Sequence, residues 1–219
     1  MEVYLVTGAT SGIGQSVYNR LSKQYSCLLV ARNKDKLNKL IEGRTNQFCY
    51  ACDLAITEDI KKIFQYCVEQ KIKIKGLIYC AGLSNVCDFA DIPSKSYPDT
   101  FSVNVFAFIE MCKYCFKYSD LCDDVRIMAI SSIAADRASA RQAVYASTKA
   151  ALNSAIISAA QEGIKHNVKV NGISLGACDT PMLANMNTSE TFRNNIGRHY
   201  PLGMIDPNTV AEVVEDFLS

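Results

Sequence analysis

Short apolar runs alternate along the chain with stretches whose apolar residues recur every three or four positions. The runs are Val3–Thr7, Cys27–Ala31, Phe48–Cys52, Gly76–Cys80, Val125–Ser131 and Val168–Ser174. Continuous apolar runs of this length suit strands covered on both faces. Between them, Gly12–Lys23 carries Ile13, Val17 and Leu21, and Lys34–Ile41 carries Leu37, Leu40 and Ile41 on one face. Glu58–Gln70 turns Ile60, Ile63, Phe64 and Cys67 inward. Pro98–Tyr118 and Arg141–Gly163 read as long helices, and Asn208–Leu218 as a last one. Residues 182–200, rich in Asn and Thr, are the least periodic and are expected to be a loop with short helices. Regular alternation of strand and helix predicts an α/β fold: one doubly wound parallel sheet of about six strands, helices on both faces, in a single domain over residues 1–219.

Composition changes this picture little. An apolar fraction of 49% and a charged fraction of 21% are ordinary for a globular chain. A net charge of +1 gives no footprint for nucleic acid. No apolar run is long enough to cross a bilayer. Glu2-Val-Tyr-Leu-Val6 reads as a strand and not as a signal peptide, so a cytoplasmic location is expected. Ten cysteines include the pairs Cys49/Cys52 and Cys112/Cys115. Three residues apart in a strand, the first pair points to opposite faces. The second pair shares a helix face but lacks two further ligands. Buried thiols are therefore expected, with no metal and no disulfide.

The candidate chemistry begins at Thr7-Gly8-Ala9-Thr10-Ser11-Gly12-Ile13-Gly14, between the first strand and the first helix. Gly8, Gly12 and Gly14 allow a tight turn and close approach of backbone to a pyrophosphate, with Thr10, Ser11 and Ile13 at the helix N-terminus. After the second strand, Ala31 leaves empty the place of a ribose-binding carboxylate, and Arg32 offers a fork for a 2′-phosphate. Asp53 and Leu54 follow the third strand and are candidates to flank adenine. Ala81 and Gly82 follow the fourth and let a cofactor pass.

Tyr145 and Lys149 lie four apart in an expected helix and project from one face. A free phenol titrates near 10, and a neighbouring ammonium favours phenolate. Ser132, thirteen residues before Tyr145, ends a strand where it can hydrogen-bond a substrate oxygen. Asn104, in the preceding long helix, is a candidate to hold a water between Lys149 and solvent.

With these residues the chain resembles the short-chain dehydrogenase/reductase family over nearly its whole length. It matches the family's TGxxxGxG turn at Thr7–Gly14 and its tetrad at Asn104, Ser132, Tyr145 and Lys149. Asn171–Thr180 resembles the segment beside the nicotinamide, where Gly176 approaches the cofactor and Thr180 meets the carboxamide. The resemblance implies a Rossmann-type sheet and hydride transfer between NAD(P)(H) and a small-molecule carbonyl or alcohol, and Arg32 with Ala31 favours NADP(H) over NAD(H). Tyr145 is then the proton donor, and Lys149 binds the nicotinamide ribose and keeps Tyr145 acidic. Tyr79-Cys80-Ala81-Gly82 replaces the usual Asn-Asn-Ala-Gly, removing a polar sheet-stabilising group, and Leu175 replaces a proline. The chain ends at Ser219, without the last strand of many members. Two other readings stay open: a cofactor-binding sensor or scaffold without turnover, and an epimerase or dehydratase. Residues 182–200 are expected to line the substrate pocket through Met182, Leu183, Met186 and Phe192. Arg137 and Arg141 are placed to meet an anionic substrate, although surface positions are commoner for arginine. Small residues Ala146, Ala150 and Ser154, with the run Phe101, Val105, Phe108, Ile109 and Cys112, suggest a homodimer through the helices at 98–118 and 141–163.

Overall fold

The computed structural model describes residues 1–119, 124–184, 200 and 203–219. Its strands are β1 (Glu2–Thr7), β2 (Cys27–Ala31), β3 (Gln47–Ala51), β4 (Lys73–Tyr79), β5 (Val125–Ser132) and β6 (Val168–Leu175). The main helices are α1 (Gly12–Leu21), α2 (Lys34–Ile41), α3 (Thr57–Glu69), α4 (Ser96–Phe101), α5 (Ala107–Lys117), α6 (Ala143–Gly163), α7 (Pro181–Ala184) and α8 (Pro207–Leu218). All six strands pair in parallel, in the order β3-β2-β1-β4-β5-β6. The expected doubly wound sheet is therefore present.

Alternation along each strand sends side chains to two cores. Val3, Leu5, Leu28, Val30, Leu77 and Ile127 face α3, α5 and α6. Tyr4, Val6, Leu29, Ile78, Met128 and Ile130 face α1, α2 and α8. Full burial of one such aliphatic chain stabilises the fold by roughly 1.5–3 kcal/mol. The inward residues expected on α3, Ile60, Ile63, Phe64 and Cys67, are all buried. The strand order reverses between β1 and β4, which leaves a crevice at their C-terminal ends.

Several elements differ from expectation. The edge strands are not buried on both faces: β3 is half-buried with Ala51 exposed, and β6 is buried only at Val168 and Leu175. β4 starts at Lys73, because Lys73 pairs with Glu2 at the far end of β1. The helix expected from Arg141 begins at Ala143; Arg141 has a left-handed backbone (φ +70°), which an α-helix excludes. The helix expected over Pro98–Tyr118 is interrupted by a π-turn at Ser102–Phe106, centred on Asn104. Val105, Phe108 and Cys112 are buried in the chain's own core, and Ala146 is buried too, so they are not free for a partner. Of the loop expected at 182–200, residues 185–199, including Met186 and Phe192, lie outside the described residues.

Candidate active site

The site grows from the turn after β1. Gly8 and Gly12 adopt positive φ, +64° and +51°. A Cβ on Gly8 would lie 3.1 Å from the Ala81 backbone, and one on Gly14 only 2.4 Å from the Gly8 carbonyl oxygen. Glycine at 8 thus lets the loop after β4 close against the turn, and glycine at 14 lets α1 sit on it. Ser11 precedes α1 without a side-chain cap, and the first helical turn carries no carboxylate. Its N–H groups and the positive end of its dipole remain available to an anion.

A cleft of about 300 Å³ opens in front of this turn, bordered by Gly8, Thr10 and Ser11. Its far end is formed by Ala31, Arg32 and Lys36 from the β2 side and by Asp53 and Leu54 from the β3 side. Arg32 is exposed, and among the described residues its side chain makes no hydrogen bond or ion pair. Asp53 turns onto its own loop, where its Oδ1 accepts from the Ala55 N–H at 3.0 Å. Ala81 and Gly82 form the wall toward β4. Gly82 also borders a second cavity of about 130 Å³, whose walls include Ile13, Ser132, Tyr145, Lys149, Gly176 and Thr180. The two cavities adjoin at Gly82, one reaching to Arg32 and the other to Tyr145. A dinucleotide fits this arrangement: glycines that let the turn close tightly, an uncapped helix N-terminus, and cationic groups at one end.

The four tetrad residues converge on the second cavity or its wall. Ser132 ends β5, and its Oγ accepts from the Ala134 N–H at 3.2 Å, starting a 3₁₀ turn. Tyr145 and Ser132 share the wall of this cavity. Burial pushes the phenol above its ordinary range; the neighbouring Ser132 hydroxyl opposes this, and Tyr200 adds to it. Lys149 is not among the groups that shift this phenol. Lys149 is buried, and its Nζ donates to the Ile130 carbonyl at 2.9 Å. Burial lowers its pKa to about 8, against a smaller raising effect of Cys80. Its ammonium stands 5.7 Å from the Tyr145 ring centroid. The phenol is therefore held protonated, the form that a carbonyl reduction consumes.

Asn104 lies 1% exposed in the π-turn. Its Oδ1 accepts from the Leu83 N–H at 2.8 Å, and its Nδ2 donates to the Leu83 carbonyl and to Thr148 Oγ1, both at 2.9 Å. Thr148 in turn donates to the Tyr145 carbonyl at 2.7 Å. Asn104 thus ties the loop after β4 to the helix that carries Tyr145 and Lys149. A Cβ on Gly82 would sit 3.5 Å from Asn104 Oδ1 and 3.9 Å from Lys149 Nζ, so both groups face this glycine.

Other contributors are harder to see in the sequence. Thr7, fully buried, accepts from the Cys80 and Ala81 N–H groups at 3.0 and 3.1 Å and locks the end of β4 to β1. The Tyr79 hydroxyl donates to the Val103 carbonyl inside the π-turn. The departure at Tyr79 therefore keeps a polar tie where loss of one was expected. Tyr200 lines the cavity beside Gly176, whose Cβ position is 3.0 Å from its ring. Arg137 lines the cavity, whereas Arg141 faces Asp88 at 3.4 Å on the surface. Among the described residues no cluster of three His, Cys, Asp or Glu side chains is placed to hold a metal ion. Burial raises the thiols of Cys52, Cys67 and Cys115 to about 12, as expected of inert core cysteines.

Known proteins place these features in context. The sequence profile described as short chain dehydrogenase matches residues 2–191. Among curated relatives, acetoacetyl-CoA reductase of Allochromatium vinosum is 28% identical over 222 residues, covering 97% of this chain and 89% of that protein. Carbonyl reductase family member 4 of Xenopus laevis is 26% identical over 215 residues, with the same coverage of 97% and 89%. Among solved structures, 4-hydroxyisoleucine dehydrogenase complexed with NADH superposes with a TM-score of 0.90 at 23% identity, covering 100% of this chain and 91% of that one. Actinorhodin polyketide ketoreductase with NADPH gives 0.89 at 22% identity, with 100% and 90% covered. No helix among the described residues is long and apolar enough to cross a membrane. With the match running from β1 through the segment after Thr180, the chain belongs to the short chain dehydrogenase family of oxidoreductases.

Proposed function

We propose that this protein is an NADPH-dependent carbonyl reductase, reversible as an alcohol dehydrogenase, acting on a small molecule held against Ser132 and Tyr145. The observation that carries this reading is the placement of Ser132, Tyr145 and Lys149 around one cavity that adjoins the glycine-lined cleft at Gly82. Gly8, Thr10, Ser11, Gly12, Ile13 and Gly14 hold the pyrophosphate side of the cofactor, with Asp53, Leu54, Ala81 and Gly82 along the adenosine path. Tyr145, Lys149, Gly176 and Thr180 border the nicotinamide end. The reduced nicotinamide, when bound, supplies hydride to the substrate carbon. Ser132 Oγ orients the carbonyl oxygen, and the Tyr145 phenol gives it a proton. A positioned proton donor of this kind contributes about 10²–10⁴-fold in rate. Lys149 supplies positive charge beside the phenol, which eases the phenolate left after proton transfer. Asn104, through Leu83 and Thr148, keeps that helix in register with the cofactor wall.

The NADP(H) preference rests on Arg32. No carboxylate stands at Ala31, and Arg32 and Lys36 border the cleft where a 2′-phosphate would lie. The same reading treats the whole chain as one dinucleotide-binding domain with residues 182–200 as its substrate loop. It sets the protein in the cytoplasm, in keeping with nine unpaired cysteines among the described residues. A homodimer through α5 and α6 is also part of it. Phe106, just before α5, and Ile109 and Ile157 on these helices are 56%, 48% and 59% exposed, and a groove of about 510 Å³ runs between α5 and α6. The test is NADPH and NADH oxidation against a carbonyl panel, run beside cofactor binding by fluorescence. Binding without turnover would favour a sensor, and conversion without net cofactor change an epimerase or dehydratase.

A further inference from the structure

The loop between Ser132 and Tyr145 carries two arginines with different fates. Arg141 is drawn outward: its Nε faces Asp88 at 3.4 Å, and its carbonyl accepts from the Cys87 N–H at 3.1 Å. Arg137 is held the other way. The 3₁₀ turn capped by Ser132 leads into a bond from the Arg137 N–H to the Ile133 carbonyl at 2.8 Å, and the Arg137 side chain borders the reaction cavity. Among the described residues that side chain makes no hydrogen bond or ion pair. The charged side chains in the described wall of the cavity are Arg137 and Lys149, and no aspartate or glutamate stands among them. Lys149 is deep and committed to Ile130, whereas Arg137 is exposed at the mouth. The described wall of this cavity is therefore positive, and a guanidinium at its rim matches the two oxygens of a carboxylate or phosphate.

We propose that Arg137 is the substrate-specificity residue of this site, and that the carbonyl substrate carries a carboxylate or phosphate that Arg137 binds. This rests on the carbonyl-reductase reading and narrows its substrate class to anions. The test compares kcat/KM for matched pairs: 2-, 3- and 4-oxo acids against their methyl esters, and dihydroxyacetone phosphate against dihydroxyacetone. In the wild type the anion of at least one pair should be favoured by about tenfold or more, the scale of a charge-assisted hydrogen bond. Which pair shows it separates carboxylate from phosphate. Arg137→Gln should bring that ratio close to one, and Arg137→Lys should keep part of it. No preference for any anion, or a preference that survives Arg137→Gln, would overturn the proposal. If no carbonyl is turned over with either cofactor, the carbonyl-reductase reading fails separately. Calorimetric titration of 4-oxopentanoate and of dihydroxyacetone phosphate into protein with NADP⁺ then decides Arg137. Binding of either that Arg137→Gln abolishes supports the proposal, and binding of neither, or binding indifferent to the change, overturns it.

Discussion

At the scale of single residues, the sharpest contrast is between a lysine that is buried and an arginine that is not. Lys149 has a folded pKa of about 8 against an ordinary 10.5, because burial disfavours its charge. Between those pH values the unfolded chain holds a proton that the folded chain has released, so stability should rise with pH there. Below pH 8 both states hold it, and the burial penalty is complete. Lys149→Met should therefore stabilise the cofactor-free protein at pH 7 by roughly 1–3 kcal/mol, after loss of the bond to Ile130, while removing activity. Urea unfolding at pH 7 and pH 10 measures this; a variant no more stable than the wild type at pH 7 would sink it. Arg32, exposed at the cleft, should act on cofactor choice and hardly on stability. Arg32→Ala should weaken NADPH binding about tenfold or more, the scale of a charge-assisted pair, with little change for NADH. Equal weakening of both would mean that Arg32 does not read a 2′-phosphate.

At the scale of elements, the π-turn at Ser102–Phe106 joins fold and site. It carries Asn104, clamps the Leu83 backbone and receives the Tyr79 hydroxyl at the Val103 carbonyl. Tyr79→Phe would remove this part-buried hydrogen bond and should cost about 0.5–1.5 kcal/mol of stability, read from denaturant midpoints. A neutral substitution would mean that the tie contributes nothing. The sequence shows Asn104 but not the turn, because an apolar spacing of three and four is shared by α- and π-geometry over so short a stretch. Strands, helices and the glycine turn are legible because local periodicity and φ preference dictate them. The burial of β3 and β6 is not, since it depends on their place at the sheet edges. Ser132, Tyr145 and Lys149 are legible from spacing within one loop and one helix. The split between Arg137 and Arg141 is not, since it follows from the backbone turn at φ +70° and from Asp88, distant in sequence.

At the scale of the whole molecule, assembly and turnover are the properties to measure. The small-residue stripe expected on α6 is split: Ala146 is buried inside, while Ala150 and Ser154 stay exposed beside Ile157. With Phe106 and Ile109 on the neighbouring elements, this leaves an apolar face suited to a second copy in C2 symmetry. Light scattering at micromolar concentration should give a dimer mass, and Ala150→Arg should dissociate it by burying an unpaired charge. A monomeric wild type would contradict the assembly. Turnover tests the central claim. The TGxxxGxG turn lines a cleft that adjoins, at Gly82, the cavity of Ser132, Tyr145 and Lys149, and the proposed proton donation falls to Tyr145 alone. The decisive measurement is kcat for NADPH-dependent carbonyl reduction in the wild type and in Tyr145→Phe, with NADPH affinity determined for both. The account predicts a fall of at least about 10²-fold in kcat at nearly unchanged NADPH affinity. A variant that keeps more than about a tenth of wild-type kcat would contradict it, since a positioned proton donor contributes far more than that.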